Sequence, residues 1–189
     1  MEIKRTIKYE SELDRNFVKE VAGMPGGEAV YSCIQCGTCS GICPVSHYMD
    51  FTPRKIVSMI RGGFRNEVLN SFTIWLCASC YACTVNCPMD IKITDIMYSL
   101  KMLAMKEGRY PAKFPMPILA EEFTKMVKKY GRVNESRLVS KLFMKTSPLK
   151  AMKYSKLGWT LFRKGRMELF PSSVDQPKSI AKALESLEG

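Results

Sequence analysis

Apolar residues recur along this chain at the three-and-four spacing of a helix face. Between Ser11 and Ala22, the positions of Leu13, Phe17, Val18 and Val21 predict a helix with Ser11 as its cap and Asp14 in its first turn. Gly23-Met24-Pro25-Gly26-Gly27 then turns the chain. Thr52 and Pro53 open a second helix that runs through Ile56, Val57, Met59 and Ile60 to Gly62-Gly63. A further apolar segment surrounds Val68, Leu69, Phe72, Ile74 and Trp75. Thr94 as cap and Asp95 at the first helical position open a third helix, with Ile96, Met97, Leu100, Leu103 and Ala104 on one face and Gly108 at its end. Pro111, Pro115 and Pro117 punctuate a connector that no regular element is expected to span. Helical patterns resume at 118–130 (Ile118, Leu119, Phe123, Met126, Val127) and 135–146 (Leu138, Val139, Leu142, Phe143), then in a broken stretch at 149–164 and a short one at 178–187. No Asn-Gly or Asp-Gly hairpin signal occurs. The expected fold is all-α.

Composition narrows the class. A hydrophobic fraction of 46% and a charged fraction of 25% in 189 residues suit a globular chain. No apolar run approaches the roughly 18 to 20 residues of a membrane span. Met1-Glu2-Ile3-Lys4-Arg5 is not backed by the apolar stretch of a secretory signal, so a cytoplasmic location is expected. Charge is uneven: residues 1–100 balance at ten basic and ten acidic, whereas residues 101–170 carry seventeen basic and five acidic. Such a basic half suits an acidic partner surface, nucleic acid or an anionic membrane, or is simply solvated. The thirteen methionines are expected mainly in the core.

The eight cysteines change the picture. Cys33, Cys36, Cys39 and Cys43 precede Pro44, and Cys77, Cys80, Cys83 and Cys87 precede Pro88. Each set reads C-x2-C-x2-C-x3-C-P, and the second repeats the first 44 residues later. This is the bacterial-type ligand run of [4Fe–4S] clusters, in which three thiolates wrap one cube and the fourth reaches the other. The expected cofactors are therefore two [4Fe–4S] clusters. Cys33, Cys36, Cys39 and Cys87 would hold cluster 1, and Cys77, Cys80, Cys83 and Cys43 cluster 2. Structural zinc, the weaker alternative, favours separated pairs of cysteines closing one tetrahedron. Disulfides are disfavoured in a reducing compartment. His47, the sole histidine, would be redundant as a ligand, and no Gly-rich nucleotide or flavin loop is present. With every ligand position filled by cysteine, both cubes would be outer-sphere one-electron carriers, and no catalytic residue is expected.

The order of helix, Gly/Pro turn, Cys33-Ile34-Gln35-Cys36-Gly37-Thr38-Cys39-Ser40-Gly41-Ile42-Cys43-Pro44, Thr52-Pro53-Arg54 and Trp75-Leu76-Cys77-Ala78-Ser79-Cys80-Tyr81-Ala82-Cys83, closed by Cys87-Pro88, resembles the iron–sulfur C subunit of heterodisulfide reductase over nearly the whole chain. The cysteine runs alone are shared with the helical ferredoxin domains of succinate dehydrogenase, glycolate oxidase and glycerol-3-phosphate dehydrogenase. The resemblance implies an α-helical ferredoxin of two cysteine-loop/helix halves with a helical C-terminal extension. It also implies an oxidoreductase-complex component of methanogenesis that passes electrons from the flavin-containing A subunit to the catalytic B subunit, which cleaves the coenzyme M–coenzyme B disulfide. Related complexes of sulfur metabolism would use the same relay. Residues 1–30 are expected as an N-terminal helix and turn, 31–108 as the two-cluster core and 109–189 as the basic extension. A nucleic-acid-binding role for that extension is disfavoured, because no aromatic platform interleaves its basic residues.

Overall fold

A computed structural model describes residues 8–110, 114–166 and 172–188. The Met1–Arg5 terminus, Pro111 and Pro171 lie outside the described residues. Among those described, the chain is helical and contains no strand, as the spacing of apolar positions predicts. It divides into two compact units between Tyr110 and Pro111.

The first unit contains α1 (Phe17–Ala22), α2 (Thr38–Gly41), α3 (Pro53–Arg61), α4 (Arg65–Leu69), α5 (Thr73–Leu76), α6 (Ala82–Val85) and α7 (Ile93–Lys106). Its core is made by Phe17 and Val21 of α1, Ile56 and Ile60 of α3, Leu69 of α4, Ile74 of α5, and Ile96, Met97 and Leu100 of α7, all essentially inaccessible. Each such side chain contributes about 1.5–3 kcal/mol through burial. The predicted helix over 11–22 is shorter in the structure: a 3-10 turn at Glu10–Glu12 precedes an extended Leu13, and α1 starts only at Phe17. Asp14 causes the break. Its N–H donates to the Gly63 carbonyl at 2.9 Å, and its carboxylate accepts from the Asn16 N–H at 2.9 Å. Gly63 is required there, since its φ is +77° and an added Cβ would lie 2.7 Å from the Asp14 carbonyl oxygen. Gly63 and Gly108 (φ +66°) both stand just past their helices in the left-handed conformation expected of them. Thr94 is not a cap. α7 begins one residue earlier, at Ile93, and the Thr94 hydroxyl is engaged by the second cysteine loop.

Two features locate the second loop. The Thr73 hydroxyl accepts from the Phe51 N–H at 2.9 Å and donates to the Phe51 carbonyl at 2.8 Å. Beside it, the Phe72 N–H donates to the Asp50 carboxylate at 2.6 Å. The stretch leaving Cys43 is thereby fastened to the helix that delivers Cys77. Elsewhere in this unit, the Arg65 guanidinium binds Asp14 at 3.1 Å and also bonds Glu20 and Glu107, so one side chain joins α4 to the carboxylates near α1 and at the end of α7.

The second unit contains α8 (Pro115–Tyr130), α9 (Glu135–Thr146), α10 (Pro148–Arg163) and α11 (Pro177–Glu188). Contrary to expectation, α8 starts at Pro115 and includes Pro117. First-turn N–H groups have no intrahelical partner, so proline is tolerated there. α10 is continuous although the apolar pattern beneath it is broken. α9 matches its predicted range, and the Asn134 side chain caps it by accepting from the Arg137 N–H at 2.9 Å. The buried Glu122 carboxylate of α8 accepts from Lys141 at 2.8 Å and Lys145 at 2.6 Å on α9. Those hydrogen bonds, Lys141 first, outweigh burial and lower its pKa from 4.5 to about 2. A depressed folded-state pKa stabilises the fold above the unfolded value, and the contribution fades as pH falls from 4.5 towards 2. Glu122→Gln should therefore cost about 2–3 kcal/mol at neutral pH and flatten the acid limb of the stability profile, read by denaturant unfolding across pH.

The methionine expectation is corrected. Met59, Met97 and Met126 are buried, but Met89, Met102, Met116, Met144 and Met152 are exposed. Met102, for one, stands outward on α7, whose core-facing positions are taken by Ile96, Met97, Leu100 and Leu103.

Candidate metal centre

Both cysteine runs fold as tight loops ending in one helical turn. In the first, Cys33 follows a 3-10 turn at Glu28–Ser32, Cys36 is exposed, Cys39 is buried in α2, and Cys43 follows that helix. In the second, Cys77 follows α5, Cys80 is exposed, Cys83 lies in α6, and Cys87 follows it. The backbone repeats with the same 44-residue offset as the thiols. Gln35 (φ +58°) and Gly37 (φ +88°) are left-handed in the first loop, Ser79 (φ +56°) and Tyr81 (φ +61°) in the second. Left-handed residues between right-handed ones turn successive N–H groups towards one concave side, a geometry that favours an anion. A cube bound by four thiolates is such an anion. Only Gly37 signalled this conformation in the sequence; the other three are non-glycine residues that sequence reasoning missed.

The thiols collect in two pockets. One is lined by Cys33, Cys36, Cys39 and Cys87. The other is lined by Cys43, Cys77, Cys80 and Cys83. Each pocket thus takes three thiols from one run and the fourth from the other. The two share walls: Pro53 faces one and Arg54 the other, while Ile93 lines both. His47 is exposed and lines neither.

The loops are held by their own downstream helices. Arg61 of α3 donates to the Cys33 carbonyl at 2.7 Å, and Lys101 of α7 donates to the Cys77 carbonyl at 3.0 Å. Side-chain groups also reach the sulfurs: Gln35 Nε2 donates to Cys33 Sγ at 3.2 Å, Thr38 Oγ1 lies 3.4 Å from Cys36 Sγ, and Thr94 Oγ1 lies 3.6 Å from Cys83 Sγ. The Thr38 hydroxyl lowers the Cys36 pKa, while burial raises those of Cys39 and Cys43. Among the smaller influences on Cys43 are Cys83, Cys80 and Cys77, all from the opposite run.

Among the described residues, no three His, Cys, Asp or Glu side chains converge as closely as a single metal ion requires. Tetrahedral zinc with Zn–S near 2.3 Å needs sulfurs about 3.8 Å apart. A cube holds its thiolates on four separate irons, so a wider all-thiol set fits it. A cube with a thiolate on each of its four irons would supply one-electron exchange and leave no open ligand position.

Residues 29–91, which include both runs, match the family described as 4Fe-4S dicluster domain. The match and the grouping of the thiols support [4Fe–4S] clusters in this all-α chain. Its relatives are specific: the chain is similar to the C subunits of heterodisulfide reductases. It is 36% identical over 104 residues to the second iron–sulfur C subunit of the CoB–CoM heterodisulfide reductase of Methanocaldococcus jannaschii, covering 51% of this chain and 55% of the relative. Against the second C subunit of the H(2)/formate:CoB-CoM heterodisulfide,ferredoxin reductase of Methanococcus maripaludis the identity is 39% over 104 residues, covering 51% and 56%. Against the iron–sulfur C subunit of the CoB–CoM heterodisulfide reductase of Methanopyrus kandleri it is 34% over 120 residues, covering 60% and 62%. The chain spans about half the length of the curated relatives it matches, and the aligned stretch is shorter than the nearly complete resemblance carried by the order of motifs. No helix among the described residues is long and apolar enough to cross a membrane.

Proposed function

We propose that this chain holds two [4Fe–4S] clusters, one on Cys33, Cys36, Cys39 and Cys87 and the other on Cys77, Cys80, Cys83 and Cys43. It relays single electrons between a flavin-containing subunit and a disulfide-cleaving subunit of a heterodisulfide reductase complex. The observation that carries this reading is the pair of four-thiol pockets sharing Ile93 and the Pro53-Arg54 wall. Two carriers separated by a single layer of residues suit transfer between them, and a relay needs one carrier facing each partner. The proposed substrate of the complex is the coenzyme M–coenzyme B disulfide, bound elsewhere than on this chain. The proposed location is the cytoplasm, where thiols stay reduced.

The basic second unit is proposed as the assembly surface. α10 carries Lys153, Lys156 and Arg163 and no acidic residue, among exposed Leu149, Met152, Leu157 and Trp159. Such a surface complements an apolar, acidic face of a partner subunit. Lys125, by contrast, is already paired with Glu121 on its own helix.

The test is iron, acid-labile sulfide and zinc content of anoxically purified protein, with electron paramagnetic resonance after reduction. About eight irons and about eight sulfides per chain, with a spin-coupled pair of reduced-cubane signals, is the expected result. Zinc without sulfide would overturn the relay.

A further inference from the structure

The two pockets are alike in thiols and unlike in charge. Among the described residues, Arg54 is the one cationic side chain lining the pocket of Cys33, Cys36, Cys39 and Cys87, and none lines the other. The asymmetry is built into the repeat. Arg54 sits in the first turn of α3, its N–H donating to the Ser40 hydroxyl at 3.0 Å. Its side chain lies across the first loop at Gly37, where an added Cβ would be 3.6 Å from Arg54 Cδ and 3.9 Å from Nε. The corresponding left-handed position of the second loop is filled by Tyr81.

Other polar influences either match between the pockets or favour the same one. Arg61 and Lys101 each bind the carbonyl of the first cysteine of a loop, so their charges balance. Two sulfurs of the first pocket, Cys33 and Cys36, have side-chain hydrogen-bond partners in Gln35 and Thr38. In the second, among the described residues, Cys83 alone has one, Thr94, at the longer distance of 3.6 Å. Reducing a cube adds one negative charge. A neighbouring guanidinium, charged at every working pH, favours the reduced form and raises the potential, as do hydrogen bonds to sulfur.

We propose that Arg54 makes the cluster of Cys33, Cys36, Cys39 and Cys87 the higher-potential member of the pair, so that electrons pass from the Cys77, Cys80, Cys83 and Cys43 pocket towards it. This rests on the two-cluster reading above. Arg54 is then a positioning residue for charge and not a ligand, and the Cys77-side pocket faces the electron donor.

The test is an anoxic redox titration of the full-length holoprotein followed by electron paramagnetic resonance, on the parent, Arg54→Gln and Arg54→Lys. In the parent, one signal develops at higher potential than the other. Arg54→Gln should move that first-developing signal downward, weakening its reduction equilibrium by about threefold to tenfold, about 30 to 60 mV at 59 mV per decade. The second signal should stay in place, Arg54→Lys should remain near the parent, and iron and sulfide contents should be equal in all three. Movement of the later signal, of both or of neither would overturn the proposal, as would an Arg54→Lys shift as large as that of Arg54→Gln. A parent without iron and sulfide would instead refute the underlying cluster reading, and the proposal with it.

Discussion

Cys87→Ser should cost the protein the cluster of the first cysteine run while leaving that of its own run in place. Cys87 lines the pocket of Cys33, Cys36 and Cys39, far upstream in the chain, and not that of Cys77, Cys80 and Cys83. Serine keeps the shape but replaces a thiolate by a much weaker, protonated ligand. The expected result is loss of about half the iron and of one of the two reduced-cubane signals. Identification of the missing signal decides the matter. If Arg54→Gln no longer shifts any signal in the Cys87→Ser background, the lost cluster is the one beside Arg54. Loss of the other cluster would show that each run closes its own cube.

Arg65→Met is expected to destabilise the first unit strongly. The Arg65 side chain is 21% exposed, binds Asp14 at 3.1 Å and also holds Glu20 and Glu107. Its guanidinium also lies 5.3 Å from the centre of the fully buried Phe17 ring. Methionine retains much of the packing volume but takes the shared cation from Asp14 and Glu20 and leaves Glu107 with Arg109 alone. The cost should be about 2–3 kcal/mol, below that of a fully buried pair because part of the network is wet. In a unit of this size that lowers the melting temperature by about 10 °C. The pH dependence has a definite sign. Burial pushes the Glu107 pKa up, but hydrogen bonds from Arg65 and Arg109 hold it below its ordinary 4.5. The network therefore stabilises above 4.5 and weakens as pH falls below it, so the deficit of Arg65→Met should shrink in acid. A deficit independent of pH would point to lost packing instead.

Much of this architecture was legible from local chemistry. The cysteine spacing marks the two loops because ligand runs carry their geometry in sequence, and each pocket is lined by three thiols of one run and one of the other. Gly63 and Gly108 marked helix ends because a left-handed backbone is easiest for glycine. What escaped was non-local. Nothing near Arg65 announces that Asp14, Glu20 and Glu107 will meet it, since the encounter depends on how α1, α4 and α7 pack. The Thr73–Phe51 clasp joins residues 22 apart through a side chain that reads locally as an ordinary helix-start threonine. Ser79 and Tyr81 adopt positive φ for the sake of the loop they belong to, against their own preference. The prolines misled in the opposite direction: Pro115 and Pro117 looked like breakers but lie in the first turn of α8, the one place in a helix where they do no harm.

The crossed arrangement of the fourth thiols bears on how the protein is made. Cys43 and Cys87 are the last cysteines of their loops, yet each lines the pocket built by the other loop. Capture of a cube in either pocket therefore orders both loops at once, and the second cube meets a receptacle whose chain entropy has already been lost. Maturation should then be close to all-or-none, with chains either empty or fully loaded over most iron supplies and few in between.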